Sequence, residues 1–352
     1  MIYVNGRFLC NKMDGITRFS LELCKQLKQQ NVSFGIVIPK WLCYDNPESF
    51  HLIRYGNLKS HFWEQMDLPR FLNKEGMPFL INLSGIGPLW YKKQIITIHD
   101  LSFYVNGKWF SKAYTIFYSF ATPIVARNSL AILTVSEFSK NEIVKYLKVN
   151  ASKISVINNA ASGYFEKSLQ RLPQPVTDEK YILAVSSHDP RKNLQRLINV
   201  FLQNDMEGFK LILVGGGANH FNVRLSGYSE NIIYKGFVED QELLSLYENC
   251  FLFVYPSLYE GFGIPPLEAM KNNCAVVASD IPSLREVCGD AAIYIDPYSE
   301  QSIKEGIFRI IKDSSMKIEL QEKGKIRSTL FNWEKSGKEL YSVINTLLRI
   351  DL

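Results

Sequence analysis

Short apolar runs recur along the 352-residue chain, and Gly, Ser, Asn or Asp close them. The first half holds "MIYVNG", "FGIVIP", "FLINLSG", "IITIHD", "AILTVSE" and "ISVINNA". The second holds "YILAVSS", "LILVGGG", "IIYKGF", "FLFVYPS", "AVVASD" and "AIYID". They are continuously apolar rather than alternating, as expected for strands buried on both faces of a parallel sheet. Helical patterns lie between many of them. In "GITRFSLELCKQL" the spacing places Ile16, Phe19, Leu23 and Leu27 on one face. "SKNEIVKYL" predicts a helix with Ser139 as N-cap and Glu142 three residues on.

Two consecutive series of strand–helix–strand units predict an α/β protein of two doubly wound domains. The polar, proline-containing "EKSLQRLPQPVTDEK", Glu166 to Lys180, reads as the linker. The expected division is 1–170, then 171–335, with 336–352 an amphipathic C-terminal helix. In such folds ligands bind beyond the carboxyl ends of the strands, so the residues just after each strand are the candidates.

Composition narrows the class. Six scattered cysteines with no CxxC pair favour reduced thiols in a cytoplasmic protein over a disulfide frame or zinc site. The N-terminus has no signal-peptide pattern, and no apolar run is long enough to span a bilayer. Charge divides unevenly. Residues 1–170 carry 20 Lys+Arg against 11 Asp+Glu (+9), and residues 171–352 carry 20 against 24 (−4). The basic half suits an anionic membrane surface or substrate, or is simply a solvated face. Its charge is too dispersed for a nucleic-acid stripe.

"YEGFGIPPLEAM" carries most of the chemistry. Pro265 and Pro266 sit where a helix begins, which places Glu268 in its first turn. A capping box would want Ser or Thr where Pro265 stands, so Glu268 reads less as a helix cap than as a ligand carboxylate, of the kind that can grip a ribose diol. Gly261 and Gly263 let backbone approach a ligand, with Glu260 just before them. "SSHDPRKNL" follows a strand and puts Arg191 and Lys192 at a helix start, an anion site suited to a diphosphate. Gly15 either caps the next helix and offers its N–H to a phosphate or makes a plain turn. His99, with Asp100, either faces a substrate hydroxyl or closes a loop. "LVGGGANH" is no G-x-G-x-x-G fingerprint, which disfavours a nicotinamide dehydrogenase. No D-x-D pair, G-x-S-x-G elbow or H-E-x-x-H is present, so no metal or other cofactor is expected.

"PSLYEGFGIPPLEAM" resembles the C-terminal signature of retaining GT-B glycosyltransferases of the large family four. "HFWEQMDLPRFL", "IITIHDLSF", "YILAVSSHDPRKNL" and "IIYKGFVEDQELLSLYENC" look like further blocks of that family, in order. The resemblance is to the mannosyltransferase-like enzymes of bacterial surface polysaccharide assembly. It implies two Rossmann-like domains facing across a cleft and metal-independent transfer with retained configuration. The donor would be a nucleotide-diphosphate sugar, GDP-mannose first. The acceptor would be a lipid-linked or oligosaccharide chain, met at the inner face of the cytoplasmic membrane. Glu268 would hold the ribose, and Glu260 with the Gly261–Gly263 backbone the sugar and phosphate. Arg191, Lys192 and Gly15 would serve the diphosphate, and His99 the sugar. Gly236, Phe237 and Val238 would lie under the base. Ser186, Phe262, Ile264 and Leu267 would complete the donor site. Ser186 and Ser187 depart from the Gly-then-Arg or Gly-then-Thr usual there. An epimerase or glycogen-synthase-like enzyme and a non-catalytic scaffold are the other readings.

Overall fold

The computed structural model describes residues 1–10, 13–161, 180–216, 225–227 and 229–350. The linker expected at Glu166–Lys180, apart from Lys180, lies outside them, as do Asn11, Lys12 and Gly217–His220. Contacts divide the chain into two units. One comprises Met1–Val105, Ala113–Asn159 and Trp333–Leu352, and the other Asn106–Lys112 and Ala160–Asn332.

The first unit is built on a parallel sheet of β1 (Ile2–Asn5), β2 (Phe34–Ile38), β3 (Leu52–Arg54), β4 (Phe79–Asn82), β5 (Gln94–Thr97), β6 (Ala131–Thr134) and β7 (Ile154–Val156). Its order is β3-β2-β1-β4-β5-β6-β7, so the winding reverses between β1 and β4. Every residue of β1, β2, β4, β5 and β6 is buried. That is why these segments read as continuous apolar runs.

Helix α1 (Gly15–Gln29) lays Phe19, Leu23 and Leu27 into this core. Ile16 is instead 42% exposed, because it falls in the first turn beyond the edge of the buried stripe. Asp14, not Gly15, is the N-cap: its carboxylate accepts from the Thr17 N–H at 2.7 Å. Helix α2 (Lys112–Asn128) precedes β6, and α3 (Glu137–Leu147) follows it. The α3 cap is Ser136, whose Oγ accepts from Ser139 N. The helix thus starts one turn earlier than its sequence pattern suggested, and the Ser139 hydroxyl donates to His99 O instead.

The second unit holds β8 (Tyr181–Val185), β9 (Lys210–Val214), β10 (Ile232–Gly236), β11 (Leu252–Tyr255), β12 (Val276–Ser279) and β13 (Ala292–Ile295). Their order, β10-β9-β8-β11-β12-β13, is again parallel and reverses between β8 and β11. Helices α4 (Leu194–Gln203), α5 (Asp240–Asn249), α6 (Ile264–Lys271) and α7 (Glu300–Lys312) are among those that cover it. Ile198, Phe201, Leu211, Val277 and Ile307 belong to one buried cluster. The chain ends in α8 (Trp333–Ile350), which belongs to the first unit. The Ser336 hydroxyl donates to Asn158 O at 2.7 Å, and the rings of Trp333 and Phe19 meet edge-on at 6.2 Å.

Candidate active site

In the second unit, the loops after β8 and β11 leave the sheet side by side at the point where the winding reverses. This is where open parallel sheets bind ligands. The first loop makes a short 3₁₀ turn, Pro190–Lys192, capped by Asp189, whose carboxylate accepts from Arg191 N at 2.9 Å. Asn193 then takes a left-handed conformation and α4 begins at Leu194. Arg191 and Lys192 therefore stand before the helix, not in its first turn. The Asn193 amide donates to Pro256 O and Pro297 O, tying this loop to the ends of β11 and β13.

The second loop brings Glu260 to these cations. Lys192 Nζ lies 2.6 Å from Glu260 Oε1 and donates to the Tyr255 hydroxyl at 2.9 Å. Tyr255 in turn donates to Glu260 Oε1. Arg191 Nη1 reaches Glu260 Oε2 at 3.1 Å and Tyr259 O at 3.0 Å, while its Nε reaches Asp189. Burial alone would push Glu260 up, but Lys192 and Arg191 beside it hold its carboxyl down at about 2. Burial draws Lys192 below its ordinary value, against the attraction of Glu260. Two cations thus face two carboxylates, Glu260 and Asp189, in one buried cluster.

Glu268 lies further along the same segment. Gly263, at φ 110°, is the N-cap of α6, and a Cβ there would come within 2.5 Å of the Leu284 side chain. The helix begins at Ile264, one residue earlier than the prolines suggested, so Glu268 is its fifth residue rather than part of its first turn. Pro265 and Pro266 lack N–H groups, so the donors left at this helix start belong to Gly263 and Ile264. The buried Glu268 carboxylate accepts from the Tyr247 hydroxyl at 3.3 Å.

The other expected donor-side residues fall around these groups. Ser186 follows β8, and its buried hydroxyl lacks a hydrogen-bond partner. Gly236 ends β10, where its carbonyl accepts from Gly215 N at 2.7 Å. Phe237 is 71% exposed and Val238 half-buried. Phe262 and Leu267 turn inward: Leu267 is fully buried, and Phe262 packs edge-on against Phe331. Gly261 is buried in the loop and Ile264 half-buried.

Gly15 and His99 belong to the first unit, Gly15 as the first residue of α1 and His99 against Phe19 of the same helix. The His99 ring meets Phe19 of α1 edge-on at 5.0 Å, and Nε2 contacts Leu83 O at 3.1 Å. Burial lowers the imidazole, against the raising pull of Leu83 O, Asp100 and Asp14. A neutral ring suits hydrogen bonding to a hydroxyl. Asp100 accepts from the Ser102 N–H and hydroxyl, so it closes the loop.

Sequence reasoning missed Asp189, Tyr255 and Tyr247, which hold the charged groups in place. Tyr255 ends a strand at the reversal point, a signal that was available. It also missed a network at the matching point of the first sheet. There Glu64, within "HFWEQMDLP", accepts from Asn5 at 2.8 Å and Arg7 at 2.7 Å. His61 lies beside Arg7 and Tyr118. Burial opposes the ionisation of Glu64, yet His61 and Arg7 beside it hold its carboxyl below the ordinary range.

Comparison with known proteins agrees with this architecture. The family models for Glycosyl transferases group 1 and for Glycosyltransferase Family 4 match residues 166–327 and 13–162. The chain is 32% identical to O-antigen chain mannosyltransferase B of Escherichia coli, across 92% of this chain and 93% of that one. It is 33% identical to O-antigen chain mannosyltransferase RfbU of Salmonella typhimurium, across 62% and 61%. Its fold is similar to that of sucrose-phosphate synthase from Thermosynechococcus elongatus, with TM-score 0.77, 99% of each chain covered and 17% identity. With family models on both units and a relative matched along nearly its whole length, the chain belongs to the group 1, family-four glycosyltransferases of GT-B fold.

Proposed function

We propose that this protein is a retaining mannosyltransferase. It moves mannose from GDP-mannose to a lipid-linked oligosaccharide or polysaccharide, such as an O-antigen or capsule intermediate, without a metal ion. The observation that carries the reading is the Lys192–Glu260–Arg191 cluster at the reversal point of the second sheet, with Glu268 eight residues on. The choice of mannose is supported by two relatives named as O-antigen mannosyltransferases.

The chemistry follows from charge. Breaking the sugar–phosphate bond leaves positive charge on the ring and negative charge on the diphosphate. Lys192 gives one N–H to Glu260 and one to Tyr255, and we assign its third to the diphosphate, with Arg191 beside it. Fixed cations and the N–H groups at the start of α6 stabilise that charge without reorganising. Glu268 grips the ribose. Glu260 accepts from Lys192, Arg191 and Tyr255 and is held at about 2. Its lone pairs are engaged, so it is a weak nucleophile. We therefore assign the acceptor proton to the leaving phosphate oxygen on the same face, which retains the configuration.

The decisive assay supplies GDP-mannose and a synthetic lipid-diphosphate sugar acceptor in EDTA, and reads the product linkage by NMR. An α-linked mannoside supports the reading. A β-linked product contradicts retention, dependence on added metal contradicts metal independence, and transfer from UDP-glucose alone contradicts the donor.

The basic first half, with exposed Phe62, Trp90 and Phe120, suits peripheral contact with the anionic cytoplasmic leaflet that would hold such an acceptor. No helix among the described residues is long and apolar enough to cross a membrane. Co-sedimentation with phosphatidylglycerol vesicles is expected. Equal recovery with phosphatidylcholine vesicles would rule out the electrostatic contact.

A further inference from the structure

Cys250 and Cys274 stand 24 positions apart, yet their Sγ atoms are 3.4 Å apart. Cys250 lies between α5 and β11, and Cys274 lies just ahead of β12. β11 and β12 are parallel neighbours with Phe253 opposite Val276. The cysteine sulfurs are already in contact, so a small movement of the two side chains brings them to disulfide bonding distance.

Both thiols meet one acceptor. Tyr247 O receives Cys274 Sγ at 2.9 Å and Cys250 Sγ at 3.3 Å. That carbonyl sits in the last turn of α5, where helix carbonyls lack intrahelical partners. The two S–H groups therefore help to cap α5. The hydroxyl of the same tyrosine donates to Glu268. The Lys317 ammonium, 4.0 Å from the Phe251 ring centroid, is near enough for its charge to act on both sulfurs. Burial pushes the Cys274 thiol well up. Cys250 is 8% exposed against 1% for Cys274, so it meets an oxidant first.

We propose that Cys250 and Cys274 form an oxidation site at which a hydroperoxide makes a disulfide, and that this disulfide weakens donor binding through Tyr247. The coupling rests on the reading of Glu268 as the donor-ribose residue. In the first step, with hydrogen peroxide, Cys250 sulfur attacks one peroxide oxygen and the O–O bond breaks; the leaving hydroxide takes the Cys250 proton as water, and a sulfenic acid remains. In the second, Cys274 sulfur attacks Cys250 sulfur, the S–O bond breaks, and the leaving hydroxide takes the Cys274 proton as a second water. Two thiols supply two electrons to one peroxide. The product has no S–H to offer Tyr247 O, so the end of α5 loses those donors and the tyrosine shifts from Glu268.

The test compares the protein after hydrogen peroxide and after dithiothreitol. Non-reducing peptide mapping looks for a 250–274 link, and calorimetry in EDTA measures GDP affinity. The link should form, with affinity falling roughly three- to tenfold, the worth of one lost hydrogen bond. Dithiothreitol should restore affinity, and Cys250→Ser and Cys274→Ser should each be insensitive to peroxide. Absence of the link, a link with unchanged affinity, or an equal loss in both variants would overturn the proposal. Reduced protein that binds neither GDP nor UDP would overturn the Glu268 reading and the coupling with it. The mapping would still decide whether the oxidation site exists.

Discussion

Lys192 and Glu260 are 68 positions apart in the chain and 2.6 Å apart in the structure, where neither has more than a small part of its side chain in water. Breaking such a pair from one side leaves a buried charge uncompensated. Glu260→Ala should therefore cost about 3–5 kcal/mol in urea unfolding. Lys192→Met should cost less, because Arg191 still faces Glu260. The double variant should cost less than the sum of the two. Additive effects would mean that the pair is not coupled.

The pH dependence of stability has a definite sign. Glu260 ionises at about 2 in the folded protein against an ordinary 4.5. Its carboxyl thus stays charged when folded, while the unfolded chain takes up a proton first. The contribution, on the order of 3 kcal/mol, is fully present above about pH 4.5 and is lost as pH falls towards 2. Urea midpoints across pH 2–6 should show this acid limb, and Glu260→Gln should flatten it.

Glu268 should separate binding from folding. Glu268→Gln keeps the shape and removes the charge, so GDP affinity should fall by roughly 10-fold or more, with a minor change in stability. Tyr247→Phe removes only the hydroxyl that meets Glu268 and should cost a few-fold. Equal losses in the two variants would place the tyrosine, not the carboxylate, at the ligand.

Gly215 tests the backbone under the site. It has φ 120°, and a Cβ there would lie 2.0 Å from Ser186 O, a backbone atom that cannot swing aside. Gly215→Ala should destabilise by at least about 2 kcal/mol and displace the Ser186 loop. A variant as stable as the parent would show that this turn is not fixed.

The sheets were largely legible in the sequence because strands buried on both faces leave unbroken apolar runs. β3 was not, being a three-residue edge strand without a buried face. The loops carrying Arg191, Lys192 and Glu260 could be found from their place after strands. The pairing among them could not, since a contact spanning 68 positions leaves no local pattern. For the same reason the sequence pattern places the cations at a helix start, whereas the anion that offsets them is Glu260. The approach of Cys250 to Cys274 was hidden as well, because it depends on the register of two neighbouring strands.

In the proposed function the second unit grips a nucleotide sugar through Glu268 and the Arg191–Lys192–Glu260 cluster. Calorimetric titration of GDP-mannose and UDP-glucose in EDTA, on the parent and on Glu268→Gln, tests it most directly. Selective binding of GDP-mannose is expected, weakened roughly 10-fold or more by the substitution. Binding that the substitution leaves unchanged, or no binding of either sugar nucleotide, would contradict it.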